Sequence, residues 1–106
     1  MTEAGLEIYL KREAALLDIE CYKFVSPARR GVPDDILVAY PSLVFFVELK
    51  SPKGTGKTSK LQIRELRRLH ALGCKTYIID STDAVDTVLL HLSRLSADAR
   101  KRENKG

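Results

Sequence analysis

The chain has 106 residues, 44% of them hydrophobic and 30% charged, which suits one globular domain with a modest core. No apolar stretch is long enough to span a bilayer, no hydrophobic segment follows a basic start, and the two cysteines stand in no metal-ligand spacing. These features argue against a membrane-spanning protein or a cysteine metal site and favour the cytoplasm, while the net charge of +4 suits a polyanionic partner.

The first predicted element is an amphipathic helix over residues 3–18, with Thr2 as its N-cap. Its apolar residues recur at spacings of three and four, which is the period of one helix face. They are Leu6, Leu10, Ala14 and Leu17. Glu7 lies one turn before Lys11, so these two side chains can pair and stabilise the helix.

Three strands are predicted next, over residues 21–25, 35–40 and 43–49. Ser26-Pro27 ends the first strand, and Pro41-Ser42 forms the turn between the second and the third. Because the connections are short, we expect these strands to form an antiparallel meander.

The second half of the chain predicts a helix, a strand and a helix. The helices span residues 59–72 and 83–95, with Gly73 ending the first and Ser81 or Thr82 capping the second, and the strand spans 76–79. A helix between the third and fourth strands makes them parallel neighbours. The order α-β-β-β-α-β-α predicts an α/β domain over residues 1–95, a mixed sheet flanked by helices, followed by a flexible charged tail at 96–106.

Charged residues stand at both ends of the hairpin GVPDDILVAYPSLVFFVELK, residues 31–50. With the turn centred on Pro41, paired position numbers sum to about 82, and Asp34 lies opposite Glu48 on one face of the sheet. Lys50, two residues further along, shares that face. A register slipped by one residue would place Asp35 there instead of Asp34.

Two carboxylates held this close repel each other unless a cation or a proton lies between them. Oxygen ligands suit Mg²⁺ or Mn²⁺, and a neighbouring ammonium group can position water or stabilise charge on a phosphate. Such a set suits phosphodiester hydrolysis. The alternative is a salt bridge at the strand edge, between Lys50 and either Glu48 or Asp34.

Four blocks of the sequence, in order, resemble a known family. They are CYKFVSPARRGVPD, FFVELKSPKG, the glutamine at position 62 that opens the next helix, and GCKTYIIDS. The spacing of PD and ExK resembles the PD-(D/E)XK nuclease signature, and the blocks together resemble its VRR-NUC family, the virus-type replication-repair nucleases. The similarity covers roughly residues 3–90.

The resemblance implies a restriction-endonuclease-like fold and a DNA endonuclease dependent on Mg²⁺ or Mn²⁺. It makes Asp34 and Glu48 metal ligands, joined by the main-chain carbonyl of Leu49, and it makes Lys50 the catalytic lysine. Family members often carry arginine at the position of Asp35. We expect Asp35 to point to the other face of the sheet, because neighbouring strand residues alternate, and we therefore leave it outside the site.

Two further residues have both a family role and a simpler explanation. Glu7 best matches the family's glutamate on the first helix, with Glu3 and Glu13 as rivals, although Glu7 can also simply pair with its helical neighbour. The resemblance places Gln62 beside the active site, yet Ser59-x-x-Gln62 also fits a capping box.

The resemblance also implies DNA as partner, branched or four-way (Holliday) junction DNA in particular, a homodimer, and a phage-type origin with residence in the host cytoplasm. The dimer interface is expected on the third helix, through Val88, Leu89 and Leu92, or on the first. Basic residues flanking the site are expected to contact DNA phosphates. They are Lys23, Arg29, Arg30, Lys53, Lys57 and Lys60, with Arg64, Arg67 and Arg68 as weaker candidates.

Two other functions remain open from the sequence. Residues 51–58, SPKGTGKT, partly match a nucleotide-binding P-loop, although Ser51 replaces its first glycine and Pro52 removes a main-chain amide. A DNA-binding module without catalysis is the second alternative. An inactive relative would be expected to lose one of Asp34, Glu48 and Lys50, and this chain has all three.

Overall fold

The computed structural model describes residues 1–51 and 58–104. Their elements follow the order α-β-β-β-α-β-α, which confirms the predicted order and fold class. The helices are α1 (Glu3–Leu16), α2 (Lys60–Ala71) and α3 (Thr82–Asn104). The strands are β1 (Glu20–Lys23), β2 (Asp35–Ala39), β3 (Leu43–Leu49) and β4 (Lys75–Ile79).

The four strands form one mixed sheet in the order β1-β2-β3-β4. β1, β2 and β3 are antiparallel neighbours, and β3 and β4 are parallel. Helix α2 connects the parallel pair, since two parallel strands cannot be joined by a tight turn. The predicted meander and parallel pair are therefore both confirmed.

The register of the hairpin is the one predicted from a turn centred on Pro41. Asp35 pairs with Val47 and Ala39 pairs with Leu43, so the position numbers of partners sum to 82. The same register places Asp34, just before β2, opposite Glu48. Side chains of β2 alternate between buried and half-buried, as expected for a strand with one face on the core.

The core lies between one face of the sheet and the helices α1 and α3. The sheet contributes Leu37, Phe45 and Val47 to it, and all three are fully or almost fully buried. Leu6, Leu10 and Ala14 of α1 are buried there as predicted, whereas Leu17 lies beyond the helix end and is exposed.

Residues of α3 that were expected at a dimer interface belong to this core instead. Val88, Leu89 and Leu92 are at most 8% exposed and pack against the sheet and α1. Their apolar spacing indicated a buried face but not what covers it. These three side chains therefore do not face a second copy of the chain.

Helix α3 continues to Asn104, so the prediction of its end at Leu95 is wrong. Ala99 is buried, and the Arg100 guanidinium lies 4.2 Å from the centre of the Tyr40 ring, so the extension packs against the sheet end. Residues 96–104 contain neither glycine nor proline, and their alanines, arginines and lysine favour a helix. Neither this helix nor another within the described ranges is both long and apolar enough to cross a membrane.

Candidate active site

Main-chain amides hold Asp34 at two places, its carbonyl oxygen and its side-chain carboxylate. Its carbonyl oxygen accepts a hydrogen bond of 2.9 Å from the Phe24 amide. Its Oδ2 accepts a hydrogen bond of 2.7 Å from the amide of Leu49, the last residue of β3. The carboxylate therefore ties the start of β2 to the end of β3, which is where the sequence placed it.

Glu48 faces Asp34 from the neighbouring strand and is only 1% exposed. Burial first, and the negative charge of Asp34 second, raise the pKa of Glu48 to about 7, although Lys50 opposes this rise. Lys50 Nζ lies 3.3 Å from Glu48 Oε2, yet no group of the described residues donates a hydrogen bond to either carboxylate oxygen. The predicted salt bridge is thus present, but Glu48 keeps unused acceptor capacity.

The ammonium group of Lys50 is held from a second side by helix α2. Lys50 Nζ donates a hydrogen bond of 3.0 Å to Gln62 Oε1. The same Oε1 accepts a hydrogen bond of 3.0 Å from the Ser59 amide, and Ser59 Oγ accepts one of 3.1 Å from the Gln62 amide. Gln62 therefore closes a capping box and also contacts the proposed catalytic lysine.

A close backbone contact places α2 beside the site. Gly31 has φ +81°, and a Cβ on it would lie 2.7 Å from the main-chain carbon and oxygen of Leu61. Only glycine combines this conformation with so close an approach. Arg29, two residues earlier, pairs with Glu65 of α2, with Nε 3.6 Å from Oε1. The first turn of α2, which carries Gln62, is in this way joined to the loop before Asp34.

Replacing Gln62 with alanine should lower about tenfold or more the DNA cleavage that the sequence resemblance implies, because Lys50 would lose a partner that fixes its position. Ser59→Ala is the matched control, since it removes a capping oxygen and about 1 kcal/mol of stability without touching Lys50. Single-turnover cleavage and the thermal midpoint should be measured for both variants. Equal losses of activity at equal losses of stability would mean that Gln62 acts only as a cap.

Glu7 of α1 lies at the rim of the same site. A cleft of about 230 Å³ is lined by Glu3, Ala4, Glu7, Lys23, Asp34 and Leu49. Glu7 accepts hydrogen bonds of 3.2 and 3.4 Å from Lys23 Nζ, and Lys11 Nζ lies 3.9 Å from its Oε1. Two of the three candidate glutamates, Glu3 and Glu7, thus face the cleft, and Glu13 is not among its lining residues.

Asp35 forms a second pair of carboxyl groups with Glu7. As predicted it faces away from Glu48, and it is completely buried under α1. Burial first, and the neighbouring Glu7 carboxylate next, raise the pKa of Asp35 to about 7. The pKa of Glu7 is lowered, chiefly by the neighbouring Asp35 carboxyl group and further by Lys23 and Lys11. Burial therefore favours the protonated form of Asp35, whose two carboxyl oxygens have no hydrogen-bond partner among the described residues. Sequence analysis missed this pair of carboxyl groups, although the burial of alternate β2 residues signalled an inward carboxyl.

The predicted DNA contacts fall into three groups. Lys23 and Arg29 form the ion pairs with Glu7 and Glu65 that are described above. Arg30 and Lys60 are exposed. Lys53 and Lys57 lie outside the described residues, as do residues 52–57 of the segment that resembles a P-loop.

The donor atoms at the site suit a hard divalent cation. Asp34 and Glu48 offer carboxylate oxygens, those of Glu48 accept no hydrogen bond from the described residues, and burial penalises its charge unless a cation is near. Within residues 1–51 and 58–104, however, no three side chains of His, Cys, Asp or Glu form a group that could hold a metal. The structure thus does not bring Glu7 into one ligand group with Asp34 and Glu48.

The known proteins that this chain matches are described as nucleases or nuclease domains. No family model matches the chain. It is 41% identical over 81 residues to "Putative nuclease p44" of Acyrthosiphon pisum secondary endosymbiont phage 1, over 76% of this chain and 85% of the phage protein. A solved structure described as a VRR_NUC domain is 26% identical and matches with a TM-score of 0.75, over 86% of this chain and 98% of that one.

Proposed function

This chain belongs to the VRR-NUC family of nucleases, and from that premise we propose that it is a DNA endonuclease dependent on Mg²⁺ or Mn²⁺. We further propose that it acts as a homodimer on branched DNA such as a four-way junction. The single observation that carries the proposal is the meeting of Asp34, Glu48 and Lys50 at the ends of two paired strands.

The proposed metal ligands are Asp34, Glu48 and the main-chain carbonyl of Leu49. When bound, the divalent cation would lower the pKa of water and neutralise charge that develops on the phosphate. Asp34 is already oriented by the Leu49 amide, so its carboxylate requires little rearrangement to act as a ligand. Glu48 is held by burial and gains from a cation, because its oxygens accept no other hydrogen bond from the described residues.

Lys50 is the proposed catalytic residue. Hydrolysis joins a water oxygen to phosphorus and breaks the bond from phosphorus to the leaving oxygen, which takes up a proton. The Lys50 ammonium group can orient the water or donate hydrogen bonds to the phosphate oxygens as negative charge increases there. Gln62 keeps that group in place from α2, and Glu7 lines the approach from α1.

The homodimer is proposed on functional and physical grounds. Two copies would bring two active sites to one branched substrate, which symmetric cutting of a junction requires. A chain of 106 residues also has a small core, to which burial against a second copy would add stability.

The purified chain should cut a labelled four-way junction when Mg²⁺ or Mn²⁺ is added, and it should not cut when EDTA is present. Products are resolved on denaturing gels, with a linear duplex of the same sequence as control, and sedimentation gives the oligomeric state. Binding without cutting under either metal would favour a non-catalytic DNA-binding module. ATP hydrolysis that is lost on Lys57→Ala would favour the P-loop alternative.

A further inference from the structure

One side of α2 presents a row of cations to solvent. The outer face of α2 consists of Lys60, Arg64, Arg67 and Arg68 together with Ile63 and Ala71, and all six residues are exposed. They line one shallow groove along the helix. The inward side of the same helix carries Gln62, Glu65, Leu66 and Leu69, which are buried or half-buried. The outer face therefore contributes nothing to the core.

The cations of the outer face lack carboxylate partners in the described part of the chain. Within residues 1–51 and 58–104, none of the four forms an ion pair, whereas Lys11, Lys23, Arg29 and Lys50 each do. The acidic residue of α2, Glu65, points inward and pairs with Arg29. Four unpaired positive charges on one helix face suit a polyanion, and they disfavour a second copy of the same face through repulsion.

The spacing of these charges matches a nucleic-acid backbone. Lys60 and Arg68 are eight positions apart, which corresponds to about 12 Å along a helix that rises 1.5 Å per residue. A DNA strand carries one phosphate per 3.4 Å of duplex axis, so the outer face spans about three or four phosphates. Exposed arginines on a rigid helix are well suited to such contacts, because the guanidinium group binds phosphate oxygens through two donors.

The position of the face relative to the active site determines which DNA it can contact. Gln62, on the opposite side of the helix, contacts Lys50. The outer face is thus separated from the site by the width of a helix, about 10 Å. It can contact DNA next to the cleaved bond but not the cleaved phosphate itself.

We propose that the outer face of α2 binds the phosphate backbone of duplex DNA that flanks the cleaved bond. The identity of the polyanion rests on the proposed nuclease function. The binding itself does not depend on catalysis, because none of the four residues contacts Asp34, Glu48 or Lys50. Removal of these charges should weaken DNA binding and leave the chemical step intact.

The test measures how DNA binding depends on salt. The variant R64Q/R67Q/R68Q and the wild type are titrated against a fluorescein-labelled duplex in EDTA, between 50 and 200 mM KCl, by fluorescence anisotropy. Each lost phosphate contact reduces the slope of log K against log salt by about 0.9, so we expect a reduction of about 2.7. Glutamine preserves helix propensity, and circular dichroism checks the fold of each variant.

Two further variants make the result specific. R94Q/K101Q/R102Q removes the same charge from exposed positions of α3 and should reduce the slope by less than 1. R64K/R67K/R68K keeps the charge and should keep the slope. An equal reduction in the α3 variant, an unchanged slope in the glutamine variant of α2, or absence of binding by the wild type would each overturn the proposal.

The salt-dependence test and the cleavage test can fail independently of each other. Cleavage by the wild type in Mg²⁺ or Mn²⁺, combined with an unchanged salt slope in the α2 variant, would refute only the role of the outer face. A reduced slope without cleavage under either metal would refute only the nuclease function. Where both proposals hold, R64Q/R67Q/R68Q should need a higher DNA concentration than the wild type to reach half of its maximal single-turnover rate.

Discussion

Lys50→Met should reduce the rate of junction cleavage by about 10²–10³-fold or more, because it removes the ammonium group that is proposed to stabilise charge on the reacting phosphate. Methionine has a similar length and keeps the apolar part of the side chain, so the hairpin should fold as before. The rate is measured under single-turnover conditions in Mg²⁺ and in Mn²⁺. Lys75→Met is the matched control, since Lys75 is an exposed lysine on the neighbouring strand β4 and should be dispensable.

Glu48→Gln tests the proposed metal ligand of the same site. It keeps the shape of the side chain and removes the negative charge that would bind a cation, so cleavage should fall at least as far as in the lysine variant. Both variants should still bind duplex DNA in EDTA. Metal-dependent cleavage that survives Glu48→Gln would refute the assignment of this residue as a ligand, and retained activity in Lys50→Met would refute the lysine as catalytic.

The sequence was sufficient to predict that Asp34 and Glu48 face each other, because the turn and the strand alternation that determine this are both local features. A turn at Pro41 and the alternation of buried residues determine the register of β2 and β3, and that register alone places Asp34 opposite Glu48. Lys50 follows from the two-residue period of a strand. Element boundaries were also largely local, and apart from the end of α3 they agree with the structure within two residues.

The remaining contacts depend on packing between distant elements. The two roles of Gln62 could be named from the sequence as alternatives, but only the docking of α2 beside Lys50 shows that both hydrogen bonds form. The raised pKa of Asp35 likewise depends on packing, because it arises from burial and from Glu7 of the distant helix α1. The end of α3 was missed because a charged segment has the same composition in a solvated helix and in a flexible tail.

The metal-free protein should lose stability as the pH rises from 5 to 8. The folded-state pKa of Glu48 is about 7 against an ordinary 4.5, and that of Asp35 is about 7 against 3.8. A raised carboxyl pKa means that the folded state holds a proton that the unfolded state has released. The stability that this proton contributes is fully present below the ordinary pKa. It falls as the pH rises above that value and is lost once the pH has passed through 7.

For Glu48 alone, a rise of this size corresponds to a loss of about 3 kcal/mol in the free energy of unfolding. Urea unfolding at several pH values in EDTA measures it. Glu48→Gln and Asp35→Asn should each flatten the dependence on pH, whereas Glu20→Gln, at an exposed position of β1, should not. A stability that rises with pH over this range, or a Glu48→Gln variant with the wild-type dependence, would contradict the prediction.

Divalent cations should offset the part of this loss that comes from Glu48 at pH 8, where its carboxyl group is mostly ionised in the folded protein. A cation that binds only the folded state adds about 2.7 kcal/mol at a concentration a hundredfold above its dissociation constant. Mg²⁺ or Mn²⁺ should therefore stabilise the wild type at pH 8 and stabilise it much less at pH 5, where protons compete for the carboxylates. If Mn²⁺ stabilises Glu48→Gln as much as the wild type, the cation binds elsewhere, and the raised pKa of Glu48 is unrelated to metal binding.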